Sequence, residues 1–298
     1  MPAAITRWEA GRPAESRVSV RVGALSLVGT LRGASRDGYG IAARRVDHRC
    51  GLSFVEIHFH LLAGVDDGPT GVPDSLSLAS AAVADGTRTV VATPHVHAQH
   101  VVDPGVIPDL VAEFVRSLRG AGIPLEVLPG GELAHDMVDR LSNQQLEVIA
   151  HGPPGRRWVL LEAPFDGLDD RFTASAEALR ERGFAVTVAH PERVAQLATG
   201  EATLAHELAV GSALQLTAAS FLGVHGEAVR ALAFRLLRAT PRVVIASDAH
   251  GKARMPSLRL ALDQLAAAGE RDPARYVSSI PRALLEHGIN ARPQAQAA

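Results

Sequence analysis

Two short runs set the chemistry. His58 and His60 lie two residues apart, and Asp248 and His250 repeat that spacing near the other end of the chain. Side chains of an extended strand alternate from face to face, so each pair projects from one side. Further β-rich runs end in His95, Glu132, Glu162 and His190, and the acidic pair Asp66-Asp67 follows the first run. Imidazole and carboxylate without thiolate suit zinc, manganese or iron. One ion takes roughly four to six protein ligands at most, so a donor set this large implies at least two ions bridged by carboxylate. Such clusters activate water near neutral pH and clamp the attacking and leaving oxygens of a phosphoryl transfer. Phosphate-ester hydrolysis fits better than peptide cleavage, because no His-Glu-x-x-His is present.

Arg193 follows His190 by three residues in Ala-His-Pro-Glu-Arg and is placed to grip a phosphate in bidentate fashion. Pro191 would turn the chain after the strand and aim that guanidinium over the site. His97, His100 and His135 lie near ligand positions and could protonate a leaving group, although solvent-exposed histidine is the simpler reading of each. His48, His151, His206, His225 and His287 fall outside strand ends and receive no role. Cysteine-phosphatase chemistry is excluded, since the residue six positions after Cys50 is Glu56 rather than Arg. There is no Gly-x-Ser-x-Gly elbow, and with Lys252 the only lysine there is no phosphate-binding loop of the Gly-Lys type.

These donors need elements to hold them. β-rich runs are read at Phe54–His60, Thr89–His95, Leu125–Glu132, Trp158–Glu162, Ala185–His190, Ala213–Thr217 and Val243–His250. Several are continuously apolar, as strands buried on both faces are. Helical spacing lies between them at Ser75–Ala84, Ile107–Leu118, Thr173–Arg182, Leu204–Val210, Glu227–Leu237 and Leu258–Ala267. Asp74 is the expected N-cap of the first helix and Gly86 its expected stop. This alternation predicts a parallel sheet with crossover helices, open or closed. The polar strand ends decide for closure, because a parallel α/β barrel gathers its carboxyl ends on one face. The sixth run, ending in Thr217, is the exception.

Composition bounds the rest. A formal net charge of −2 over 298 residues excludes a general nucleic-acid binder, and one cysteine excludes an intrachain disulfide. No apolar run reaches the length of a membrane span, so a cytoplasmic protein is expected. Residues 1–52 hold nine Arg against four acidic residues and no sustained period. They are expected to be a poorly ordered extension ahead of a single domain at 53–290. Lone Arg-rich tails can touch anionic partners, and no such role is assigned here.

The motifs carry a family resemblance. Glu56-Ile-His-Phe-His60, Gly64-Val-Asp-Asp-Gly68, Ala92-Thr-Pro-His95, Gly131-Glu-Leu133, Leu160-Leu-Glu162, Ala189-His-Pro-Glu-Arg193 and Ala246-Ser-Asp-Ala-His250 resemble the polymerase and histidinol phosphatase (PHP) superfamily. Within it they are most similar to bacterial manganese-dependent protein-tyrosine phosphatases of the CpsB/CapC type, from about Phe54 to about Leu285. The resemblance implies a distorted (β/α)7 barrel with two or three divalent ions, manganese foremost, with zinc, iron or cobalt as substitutes. It implies His58, His60, Asp67, His95, Glu132, Glu162, His190, Asp248 and His250 as ligands, choosing Asp67 over Asp66. Arg193 would hold the phosphate, with His190 and Asp248 at the reacting centre. The implied substrate is a phosphotyrosine protein, a tyrosine autokinase of capsule or exopolysaccharide synthesis, and a homo-oligomer is a further possible partner.

Three positions depart from the family pattern: Glu56 stands where Asp is usual, Thr217-Ala-Ala-Ser220 replaces Asn-Ala-Gly-Ser, and Val194 replaces an aromatic. The latter two lie near where substrate should sit. A small-molecule phosphatase of the histidinol-phosphatase type and a non-catalytic metal-binding PHP module stand as rival readings. A nuclease is disfavoured by the acidic balance beyond residue 52.

Overall fold

Strand and helix alternate along the chain as the apolar periods predict. The structure, a computed structural model, describes residues 53–101, 103–194, 197–252 and 254–291. The expected extension at 1–52 lies outside the described residues. The strands are β1 (Phe54–Phe59), β2 (Thr87–Ala92), β3 (His95–Val96), β4 (Glu126–Pro129) and β5 (Glu132–Leu133). They continue with β6 (Trp158–Glu162), β7 (Ala185–Ala189), β8 (Ala213–Thr217) and β9 (Val243–Ala246). The helices are α1 (Val72–Asp85), α2 (Ile107–Gly120), α3 (Asn143–Ile149), α4 (Asp170–Glu181) and α5 (Leu197–Ala209). After them come α6 (Ala218–Phe221), α7 (Glu227–Leu236), α8 (Leu258–Ala267) and α9 (Ser279–His287).

All strand pairs are parallel, in the orders β1-β2-β4 and β3-β5-β6-β7-β8-β9. Two runs read as single strands are each broken in two. Thr93-Pro94 separates β2 from β3, and Gly130-Gly131 separates β4 from β5. Proline cannot donate to a ladder, and the glycines allow a close crossing. A Cβ on Gly130 would sit 2.5 Å from Val91 Cγ1, and one on Gly131 2.8 Å from Val96 Cγ2. The two sheets are therefore continuous through the chain, and a parallel bridge between Phe59 and Ala249 joins the end of β9 to β1. The result is a distorted seven-position barrel.

Inward positions follow the period of two. Trp158 and Leu160, Ala185 and Ala189, Ala213, and Val244 and Ala246 share one apolar cluster with Val55 and Ile57. Their chain neighbours Val159, Leu161, Val186, Val188, Leu214, Leu216, Val243 and Ile245 pack against the helices instead. α9 closes the amino end of the barrel: Leu284 joins the inner cluster, and Trp158 Nε1 donates to the Leu284 carbonyl at 2.8 Å. The apolar pattern between strands did not reveal α9 or the short α3.

One cap is corrected. Gly71, not Asp74, is the N-cap of α1, and Asp74 lies in its first turn. Pro73 fits the opening of the helix and moves its start three residues upstream of the expected position. Asp74 accepts from Thr70 Oγ1 at 3.0 Å and its charge complements the helix N-terminus. Gly86 ends the helix in the left-handed region at φ 118°, as expected.

Candidate metal centre

A register shift between Glu56 and Phe59 turns β1 at the carboxyl end of the barrel. Ile57 packs in the inner cluster and Phe59 in the outer one, so the parity of β1 changes between them. Bulges re-aim side chains in this way, and this one lets His58 and His60 both face the barrel mouth. Both are fully buried.

Glu132 is the hub. Its Oε2 lies 3.1 Å from His58 Nε2, 3.2 Å from His60 Nε2 and 3.1 Å from His95 Nδ1. Its Oε1 lies 2.8 Å from His190 Nε2. Asp248 Oδ1 is 3.3 Å from His58 Nε2 and 3.5 Å from His60 Nε2. Asp67 Oδ1 bridges the far side, 3.4 Å from His95 Nε2 and 3.1 Å from His250 Nε2. Glu162 completes the set: with His95 and Glu132 it offers ligand atoms all within 4.8 Å of one another. The same spacing holds for His60 with Asp67, His95 and His250, for His58 with Glu132 and His190, and for His58 with His60 and Asp248. All nine side chains singled out in the sequence thus meet at one mouth.

The protons of this cluster are displaced from their ordinary places. Burial alone would push Glu132 up, but the imidazoles of His58, His190 and His60 outweigh it and hold the carboxyl well below its usual range. Asp248 is lowered likewise, burial being overcome by His58, His190 and His60. Burial would depress His60, yet its hydrogen bond to Asp66 and the Glu132 carboxylate beside it push it up to about 10. Burial and then the charge of Glu132 lift Glu162 to about 8. Burial and then His60 depress His250 to about 3. Opposite shifts in adjacent groups are the pattern that functional sites share with buried ion-pair networks.

The donor set fits divalent cations. Two imidazole nitrogens, His58 Nε2 and His60 Nε2, approach to 3.2 Å, a contact that one shared proton or a cation can satisfy and two protons cannot. Glu132 Oε2, His190 Nδ1 and His250 Nε2 are buried without a well-directed hydrogen bond, where buried polar atoms ordinarily find partners.

Behind these donors lies a supporting layer, most of which the sequence did not disclose. Asp66 accepts from His60 Nδ1 at 2.7 Å and from the backbone of Gly68 and His95, which leaves His60 Nε2 turned to the mouth. The adjacent acids therefore divide the work, Asp66 orienting and Asp67 facing the cluster. Gln215 Oε1 lies 2.8 Å from His58 Nδ1 and accepts from the His190 backbone at 3.2 Å. β8, the run without a polar donor at its end, contributes this residue one step inside. Glu56 Oε2 accepts from the Ser247 backbone at 2.8 Å, and burial raises its pKa to about 8.

Arg193 stands at the rim. His190 leaves β7 at φ 36°, and a 3-10 turn from Pro191 to Arg193 follows. His190 and Asp248 (φ 51°) are the non-glycine residues with positive φ among those described, and backbone strain of this kind gathers at functional sites. Arg193 Nη1 is 2.6 Å from Asp248 Oδ2. Arg254, which the sequence reading passed over, reaches the same oxygen at 3.0 Å and Asp67 Oδ2 at 3.3 Å. Its only sequence signal was its position four residues after His250. Glu192 anchors the turn, accepting from Thr217 N at 2.7 Å and Ser220 Oγ at 2.8 Å. The Thr217–Ser220 run thus holds Glu192, the residue before Arg193. His97, His100 and His135 are exposed or half-buried, and the His100 ring stacks on His95 with centroids 5.6 Å apart.

A parallel α/β barrel with imidazoles and carboxylates crowded at its carboxyl end defines the class: an α/β barrel with a candidate metal centre on the face where such barrels carry their chemistry. The family model for capsular polysaccharide synthesis, CpsB/CapC, matches residues 54–285, and the chain belongs to that family. It is 32% identical over 200 residues to the tyrosine-protein phosphatase YwqE of Bacillus subtilis, a match covering 66% of this chain and 77% of that protein. A solved structure from work on YwqE of Bacillus subtilis and CpsB of Streptococcus pneumoniae, described as unique metal-dependent tyrosine phosphatases, superposes with a TM-score of 0.69 at 29% identity. It covers 79% of this chain and 96% of its own. The phosphotriesterase homology protein of Escherichia coli shares the fold, with a TM-score of 0.52 at 14% identity, over 77% of this chain and 97% of that one.

Proposed function

We propose that the chain is a metal-dependent protein-tyrosine phosphatase of a capsule or exopolysaccharide system. The observation that carries this reading is one mouth holding nine metal-type donors beside two guanidinium groups, Arg193 and Arg254, both on Asp248 Oδ2. The sequence relationship to tyrosine phosphatases supports the choice of substrate.

In this reading His58, His60, Asp67, His95, Glu132, Glu162, His190, Asp248 and His250 would hold two or three divalent ions, manganese foremost. Ions so held supply Lewis acidity, which activates water and neutralises oxygen charge in phosphoryl transfer. Arg193 and Arg254 bind the non-bridging phosphate oxygens, in exchange for the carboxylate they share. Asp66 and Gln215 fix the imidazoles of His60 and His58, so little reorganisation accompanies the reaction. Water adds to phosphorus, the bond from phosphorus to the tyrosyl oxygen breaks, and tyrosine leaves with a proton as orthophosphate forms. The protein substrate is a tyrosine autokinase, and the enzyme works in the cytoplasm. Among the described residues no helix is long and apolar enough to cross a membrane.

The test is initial rates on a phosphotyrosine peptide and on histidinol phosphate, side by side, with manganese and then with chelator. Chelator-sensitive release from the peptide is expected. Release from histidinol phosphate alone would replace the protein substrate with a small one. No release from either by folded, metal-loaded protein would favour a non-catalytic module.

A further inference from the structure

We propose that Phe165 is a specificity-determining residue that receives the aromatic ring of the ester. The proposal rests on the phosphotyrosine reading above and assigns the contact that separates aryl from alkyl phosphates. Phe165 follows Glu162 by three residues at the end of β6. Its ring lies parallel to that of His190, with an interplanar angle of 2° and centroids 5.3 Å apart. Arg193 Cζ sits 4.9 Å from the centroid of the same ring. Phe165 thus touches both a donor of the cluster and the guanidinium assigned to phosphate.

It is nevertheless 47% exposed, and it is the one aromatic residue among the exposed large apolar side chains of the described residues. Detachment of its loop does not explain this, because Ala163 and Leu168 on either side are buried. An apolar ring left open to water beside a charged mouth gains by covering its free surface with another ring. The chemistry of the substrate supplies that ring at the required place. In an aryl phosphate the ring is one oxygen from phosphorus, so a phosphoryl group seated at Arg193 brings the ring to the rim. An alkyl ester such as phosphoserine presents a methylene there and leaves Phe165 uncovered.

A purely structural role is the competitor: Phe165 could serve only to steady Arg193 through its ring face. That role would weaken every phosphate ligand equally. The experiment therefore compares wild type, Phe165→Ala and Phe165→Tyr as full-length, manganese-loaded proteins. Inhibition constants are measured for inorganic phosphate, which has no ring, and for phenylphosphonate, and KM for a phosphotyrosine peptide. The expected result for Phe165→Ala is a rise of about 3- to 10-fold in the phenylphosphonate constant and the peptide KM, with the phosphate constant unchanged. Phe165→Tyr restores the aryl values. Equal weakening of phosphate and phenylphosphonate, or no change in either, would overturn the proposal. A wild type that cleaves glycerol phosphate and no aryl ester would overturn the phosphotyrosine reading itself, and is recognised without any variant.

Discussion

The two ends of the barrel use the same strands for opposite purposes. At the amino end the inward residues are Val55, Trp158, Ala185 and Ala213, sealed by Leu284 and Ile289. Two residues further on, Leu160 and Ile57 keep company with Thr187 and Gln215, which are polar and buried. At the carboxyl end the same strands deliver His58, His60, Glu162, His190 and Asp248. The apolar end needs no proton or ion to be satisfied. The polar end crowds imidazoles and carboxylates out of water, which is costly unless each charge is matched. The comparison teaches that the barrel separates stability from chemistry along its axis, the period of two giving way at His58 and His190 where the donors begin.

That separation can be broken at either end, and the expected effects run from large to small. Trp158→Ala should lower folding stability by about 3–5 kcal/mol in urea titration, while activity per folded molecule stays near wild type. A comparable loss of turnover in the folded fraction would show that the two ends are coupled. Glu132→Ala should do the reverse, cutting kcat/KM by about 10²–10³-fold with the circular dichroism of the folded chain retained. Full activity in that variant would remove Glu132 from the centre of the site.

Metal should stabilise through the polar end alone. Manganese at 100 times its dissociation constant should add about 2.7 kcal/mol of stability, reversed by chelator. Trp158→Ala should keep that increment and Glu132→Ala should lose most of it, as melting curves with and without metal will reveal. Glu192→Ala strips the partner from Thr217 N and Ser220 Oγ. It should cost about 1–3 kcal/mol and raise KM more than it lowers kcat, because Arg193 loses its anchored turn.

The smallest effect is a slope in pH. Burial raises Glu56 from 4.5 to about 8, so between those values the folded chain holds a proton that the unfolded chain releases. Its contribution is fully present below pH 4.5 and is lost as pH rises through 8. Glu56→Gln should flatten the fall in melting temperature across that window. An unchanged slope would mean that Glu56 is already ionised in the folded protein.

Much of this was legible in the sequence, for reasons that differ by residue. Donors at strand ends could be read because the strands announce themselves by apolar runs and the barrel topology places every carboxyl end on one face. His58 and His60 could be paired by spacing alone. The N-cap of α1 falls at Gly71 rather than Asp74 because Pro73, which needs no backbone donor, fits the first turn and lets the helix begin earlier. Arg254 was missed because it lies in a loop with no periodicity, and Phe165 because an isolated aromatic beside a strand reads as core until its exposure is known.

The amino-acid sequence by itself determined the alternation of strand and helix, the donors available, their chemical class and the family. These depend on side-chain type and on a period of two or 3.6, both of which are local. Only the tertiary structure decided that Asp66 orients His60 while Asp67 faces the cluster, and that Gln215 steadies His58. It also decided that β1 changes parity before His58, and that Arg193 and Arg254 share one oxygen of Asp248. Each of these is settled by a partner tens or hundreds of residues away, and that distance is closed only when the sheet curls and its last strand meets its first.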